Sequence, residues 1–230
     1  MRSLFRTLTT VILGLTLTAG SARASQVVFG NLGSAGTDAL DGGNQPSSAS
    51  TLLAQGFTVG STATNLYLST VTLGLRQTTA TSPIATTISL YSASGLNPGS
   101  VLATSFNQSI STVDPTKYAF DFGGFLLSTE TSYFIVLNQS GVSWNFSVNP
   151  ETPAEQNGSG YDWYQTRRST NSGTNWSNFV VGGGSMSISM TASSTAPAPE
   201  PIPEPGTWAA AALLIGAAAY VRLRRRAQAA

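Results

Sequence analysis

Histidine and cysteine are both absent from this 230-residue chain, which removes much familiar chemistry. A Ser-His-Asp triad, a cysteine nucleophile and a zinc site of the usual ligand set each need one or the other. Carboxyl groups remain, and two at a suitable separation suffice for glycoside hydrolysis. The candidates are Glu151, Glu155 and Asp162. Glu151 and Glu155 lie in "NPETPAEQNGSG", which reads as an exposed loop, where a carboxylate stays solvated and is hard to tune as an acid. Asp162 sits between Tyr161 and Trp163, a better environment, but it has no defined partner. In "GTDALDGG", Asp38 and Asp41 offer hard oxygen ligands that would suit calcium. Their spacing is not that of an EF-hand, and a solvated Asx-turn is the simpler expectation, with calcium left open. "VGGGS" (181–185) is glycine-rich but lacks the flanking elements of a phosphate loop and reads as a turn. No catalytic residue, no metal and no cofactor is therefore expected.

The aromatic residues are the remaining route to recognition. In "YDWYQTRR", strand alternation puts Tyr161 and Trp163 on one face and Asp162 and Tyr164 on the other. Tyr and Trp combine an apolar face with a polar edge, which suits stacking on a sugar ring. Trp176 in "SGTNW" completes the possible glycan-contact set of Tyr161, Trp163 and Trp176. The competing role for each is core packing, and that is the favoured role for Trp144. Five N-x-[ST] sequons begin at Asn107, Asn138, Asn145, Asn157 and Asn175. In a chain this rich in Ser, Thr and Asn they carry little weight, and Asn145 falls inside an expected strand.

The elements that must position these residues are strands. "NLYLSTVTLGLR" places Leu66 and Leu68 on one face, then Val71, Leu73 and Leu75 at every second residue. The one-residue offset between the two sets predicts a bulge near Ser69-Thr70. "TTISLYS" leads into "GLNPGS", expected to turn the chain, and "SVLATSF", "KYAFDF", "SYFIVL" and "SWNFSV" follow as strands. "SMSISM" alternates Met186, Ile188 and Met190 with serines, a one-sided last strand. The expected fold is all-β, an antiparallel β-sandwich with jelly-roll-like topology.

Between residues 25 and 195 the positive residues are Arg76, Lys117, Arg167 and Arg168. The negative ones are Asp38, Asp41, Asp114, Asp121, Glu130, Glu151, Glu155 and Asp162, so this region is mildly acidic. The basic residues cluster at the two ends, and nothing favours nucleic acid as a partner. Arg2 and Arg6 precede an apolar run from Leu8 to Ala19, and Ala22 and Ala24 supply the small residues that a signal peptidase reads. A signal peptide over 1–24 is expected. A domain over 25–192 and a Pro-rich linker over 193–202, stiff because its prolines favour an extended conformation, would follow. After Pro203, Glu204 and Pro205, an apolar stretch predicts a single transmembrane helix over 207–223, marginal in length. Arg222, Arg224, Arg225 and Arg226 then form a basic cluster, which the positive-inside rule puts in the cytoplasm.

A proline-glutamate-proline motif, an apolar helix and an arginine cluster, in this order over 203–227, resemble the PEP-CTERM sorting signal of exported bacterial proteins. The resemblance implies processing by an exosortase and a Gram-negative, exopolysaccharide-producing host. The middle of the chain, through "QGFTV", "STVTLGLR", "ISLYSASGLNPGSVLATS", "LLSTETSYFIVL", "WNFSV" and "SGTNW", resembles the choice-of-anchor R domain over most of residues 29–191. That family implies a surface location and a sandwich fold and brings no catalytic residues. The expectation is an exported, non-enzymatic cell-surface or extracellular-matrix protein. It would be anchored in the inner membrane at least transiently, with signal peptidase and exosortase as processing enzymes and exopolysaccharide as the leading partner. A lectin-like carbohydrate-binding module is the alternative, and a glycoside-active enzyme using Asp162 is the third.

Overall fold

A computed structural model describes residues 25–32, 43–79, 82–146, 160–179 and 186–197. The expected signal peptide (1–24), the Asp38/Asp41 loop, Glu151 and Glu155, the 181–185 turn and the 203–227 sorting signal lie outside them. Among the described residues no helix is long and apolar enough to cross a membrane; the expected span over 207–223 lies outside them.

The structure is all-β. The strands are β1 (Gln26–Gly30), β2 (Asn44–Pro46), β3 (Leu52–Val59), β4 (Tyr67–Gln77), β5 (Ile84–Thr86), β6 (Ile88–Ser94) and β7 (Asn97–Thr104). They continue with β8 (Gln108–Ile110), β9 (Thr116–Leu126), β10 (Thr131–Leu137), β11 (Val142–Asn145), β12 (Tyr161–Ser169), β13 (Ser177–Asn178) and β14 (Ile188–Ser193). The first sheet runs β1-β14-β4-β11-β2, with β9 also paired to β4; the second runs β13-β12-β3-β10-β6-β7; β5 and β8 form a small third sheet. All pairings are antiparallel.

The expected bulge is present. Thr70 pairs with Thr191 and Leu68 with Ala192, so Ser69 is the extra residue on β4. It moves Leu68 onto the same face as Val71, Leu73 and Leu75, and all four are buried. Met186, Ile188 and Met190 are fully buried beside them, as their alternation with serine required. The β6–β7 turn is tighter than "GLNPGS" suggested. Only Gly95 and Leu96 turn, with Gly95 at φ 56°, and Asn97 and Pro98 already pair with Ser94 and Ala93. Proline is tolerated there because, among the described residues, β7 ends its sheet and pairs with a strand on one side. The last strand runs to Ser193, one residue past the expected domain end.

The two large sheets face each other across one core, a sandwich-like arrangement. Leu68, Val71, Leu73, Ile188 and Met190 come from the first sheet, and Leu53, Phe57, Val59, Leu90, Ile135 and Leu137 from the second. Burying each large apolar side chain is worth roughly 1.5–3 kcal/mol. Rings bridge the layers: Phe29 of β1 lies 5.7 Å from Phe57 of β3 and 4.2 Å from Trp163 of β12, centroid to centroid. Trp144 is buried in this core, where its indole Nε1 donates to the Ser187 carbonyl at 2.9 Å. A polar stitch crosses the same space: Gln55 Oε1 of β3 accepts from the Met186 amide at 3.2 Å, and also from Thr166 Oγ1 of the neighbouring strand in its own sheet at 3.0 Å.

Candidate functional site

The strand β12 decides where the candidate aromatics go, because its side chains alternate across the second sheet. Tyr161 points inward and is 1% exposed; its hydroxyl donates to the Asn65 carbonyl. Burial pushes the pKa of this phenol up, with a smaller contribution from nearby Tyr133. Trp163, two residues on, also faces inward, against Phe29. The alternation expected from the sequence is thus correct, but it sends Tyr161 and Trp163 into the core. A ring that is 1% exposed has no face to offer a sugar, so Tyr161 is a core residue rather than a glycan contact.

The other face of β12 is the informative one. Alternation places Tyr164 on the outer face of the sheet, and the register slip of β12 against β3 between Trp163 and Thr166 then sets Thr166 inward opposite Gln55 and Arg167 outward opposite Ala54. That face carries a second apolar cluster: Leu52, Ala54, Phe134 and Val136, all buried, with Tyr91, Ala93, Tyr164 and Trp176 packed around them. Register lines up its centre, because Phe134 of β10 stands opposite both Gly56 of β3 and Tyr91 of β6. Gly56 is required here. A Cβ would fall 2.8 Å from Phe134 Cε1, 2.9 Å from the Gln165 carbonyl oxygen and 3.0 Å from Tyr164 Cδ1. The bare backbone lets the Tyr164 ring lie over β3 and reach Phe134, 5.6 Å away and tilted 60°.

Two hydrogen bonds then draw the β6–β7 tip over this face. The Tyr164 hydroxyl donates to the Gly95 carbonyl at 2.9 Å, and Arg167 Nε donates to the Leu96 carbonyl at 2.7 Å. β3 and β10 separate β12 from β6, a gap of about 14 Å at ordinary strand spacing. The tip must therefore bend back across the sheet. At the other end, a loop brings Trp176 against the cluster. The Asn175 amide bonds Asn171 Oδ1 at 2.9 Å, the Gly173 amide bonds Ser169 Oγ at 2.9 Å, and the Ser172 amide bonds the Ser50 carbonyl at 3.0 Å. Of the three expected glycan contacts, only Trp176 sits on this outer surface.

Tyr91, Tyr164 and Trp176 are half-buried on this face, and Asp162, opposite Thr58, is exposed at its margin. Hydroxyl pairs border it: Thr58 Oγ1 with Ser132 Oγ at 2.8 Å and Ser89 Oγ with Thr104 Oγ1 at 3.2 Å. Such a strip can stack on the apolar face of a sugar while neighbouring hydroxyls exchange hydrogen bonds with it. The sequence reading missed Tyr91, Phe134, Tyr164, Arg167 and the role of Gly56. A signal was available: in "SYFIVL" both alternating sets are apolar, and a strand apolar on both faces is covered on both. Among the described residues no three His, Cys, Asp or Glu side chains are grouped to hold a metal. No protein-family model and no curated protein matches this chain. Of the sequons, Asn145 is buried at 1% exposure in β11.

Proposed function

We propose that this chain is an exported, non-enzymatic surface or extracellular-matrix protein, displayed through its β unit and sorted by a PEP-CTERM signal that an exosortase processes. The order of the targeting features carries the proposal: a basic and apolar leader with Ala22 and Ala24, then the β unit, then Pro203-Glu204-Pro205, an apolar run and Arg222 to Arg226. The lack of His and Cys supports a binding or structural role over catalysis. The strand order supports a jelly roll. On this reading β1-β14-β4, with β9 on β4, and β3-β10-β6-β7 would be the interleaved halves of two Greek keys, with β11 and β2 continuing the first sheet and β12 and β13 added at an edge of the second. Intact mass of the protein from native cells, with membrane and medium fractions measured separately, tests the sorting. The expected mass begins at Ser25 and ends near Pro203-Glu204-Pro205. A mass that starts at Met1 in every fraction would overturn export.

A second reading, a glycan-binding module, is favoured by the half-buried rings on the outer face of the second sheet. On this reading Tyr91, Tyr164 and Trp176 contact exopolysaccharide. Trp176→Ala is then expected to lower affinity for the host polysaccharide about tenfold, a loss of about 1.4 kcal/mol. The unfolding midpoint should move little, since Trp176 lies at the cluster's margin. Unchanged binding, or a large loss of stability, would assign Trp176 to packing alone.

A further inference from the structure

The aromatic strip on the outer face of the second sheet has a positive charge within it. Along β3 the strip is floored by Leu52, Ala54 and Gly56. Arg167 of β12 stands opposite Ala54, and Tyr164 lies over Gly56. The loop that carries Trp176 comes against Leu52 at Gly173. Arg167 is therefore set between two aromatic side chains, in rows about 7 Å apart along the strand.

This arginine is only 7% exposed, yet its side chain carries a full positive charge. Among the described residues it makes one hydrogen bond, from Nε to the Leu96 carbonyl at 2.7 Å. That bond fixes the guanidinium beside the Tyr164 phenol, which binds the adjoining Gly95 carbonyl at 2.9 Å. Nη1 and Nη2 donate to nothing among the described residues, and neither is a fully buried atom, so both reach solvent. The acid on the same face of β12, Asp162, stands opposite Thr58. That is about 13 Å along β3 from Ala54, too far for an ion pair. A largely buried charge without a counter-charge is costly to keep. The staple to Leu96 uses Nε alone and leaves the end of the fork free.

Building on the glycan-binding reading of this face, and resting on it, we propose that Arg167 makes the site selective for acidic sugars. Nη1 and Nη2 hold a sugar carboxylate end-on through two parallel hydrogen bonds, a geometry in which guanidinium and carboxylate match. The sugar ring, or its neighbour in the polymer, stacks on Trp176 or Tyr164. Because Nε is already anchored, the fork is aimed before the ligand arrives and loses little freedom on binding. Asp162 at the far end of the strip repels the same carboxylate and directs it toward Arg167.

The test uses full-length protein purified in detergent and the host's exopolysaccharide in two forms, native and carboxyl-reduced. Reduction turns each carboxylate into a primary alcohol and leaves the sugar rings in place. In calorimetry, wild-type protein is expected to bind the native form about tenfold more tightly than the reduced one. Arg167→Gln should bind both forms with the affinity that wild type shows for the reduced form. Lys117→Gln, which removes an equal charge from an exposed position on the first sheet, should keep the preference. A pyruvate ketal offers the same carboxylate as a uronic acid. Mild acid strips the ketal alone, so a preference that survives it assigns the carboxylate to uronate, and one that vanishes assigns it to pyruvate. If Arg167 only staples the β6–β7 tip, Arg167→Gln weakens both forms alike, and that result overturns the proposal. Equal binding of the two forms by wild type also overturns it, needs no variant to fold, and leaves the glycan reading standing. Binding of neither form overturns both.

Discussion

Tyr161 shows how one buried polar atom ties stability to pH. Its phenol is enclosed in the core and donates to the Asn65 carbonyl, and burial raises its pKa above the ordinary value of 10.0. The native state therefore keeps this proton at pH values where the unfolded chain has released it. The stability this linkage supplies is complete below pH 10 or so and is lost as pH rises beyond it, by up to about 1.4 kcal/mol per pH unit for one proton. Tyr161→Phe is expected to flatten that decline. Taking wild type minus variant from denaturant melts between pH 9 and about 11 cancels the tyrosines that do not interact with Tyr161, leaving its own proton and its coupling to Tyr133. Parallel curves would mean that the hydroxyl ionises in place. The alternation that points Tyr161 and Trp163 together was legible in "YDWYQTRR", since period two is local. Which face was the core was not, because that depends on β1 laying Phe29 against Trp163 from the other sheet. Asn145 marks a different limit: both polar atoms of its buried side chain lack a hydrogen-bond partner, and nothing in its surrounding sequence announces this.

At the scale of elements, the second sheet is covered on both faces, and β3 is the strand that makes this possible. Its inward residues Leu53, Gln55, Phe57 and Val59 meet the first sheet, while Leu52, Ala54 and Gly56 floor the outer cluster. Gly56 fixes how closely β12 can lay Tyr164 over that floor. Gly56→Ala is expected to destabilise by about 1–3 kcal/mol, because the methyl group overpacks against Phe134 and Tyr164. Tyr164→Ala removes one of the two rings, so the double variant should be less destabilised than the sum of the singles, by about 0.5 kcal/mol or more. Additive effects in urea melts would show that Gly56 is set by Phe134 and the Gln165 carbonyl without Tyr164. The bulge at Ser69 and the one-sided β14 could be read in advance, since each is written in the spacing of neighbouring residues. The outer cluster could not be read that way. Its rings come from β6, β10, β12 and the loop after it, and apolar alternation on both faces of β10 looks the same whichever face is inside.

For the molecule as a whole, the pairing of β1 with β14 is the constraint that matters most. Gln26 stands opposite Ala192, so the first and last strands of the β unit close together, and β14 lies between β1 and β4 in the first sheet. No run of sequence shows this, because pairing over such separation has no local signature. It has a consequence for folding: until β14 is available, β4 lacks the neighbour that covers Val71 and Leu73, and β1 has no strand to join. Contacts this far apart in sequence form slowly. A chain needing its last strand stays open during synthesis, which is compatible with passage through a membrane before folding. A chain ending at Gly184 is therefore expected to be protease-sensitive and to lack a cooperative melt. A synthetic peptide covering 185–195 should restore protection by entering the vacant position, with Met186, Ile188, Met190 and Ala192 returning to the core by strand addition. Replacing Ile188 with Asp in that peptide should abolish rescue, because it would place an unpaired carboxylate among buried apolar side chains. Protease resistance in the truncated chain without peptide would show that β1 and β4 can close on each other, and that β14 is an addition to the sheet rather than its keystone.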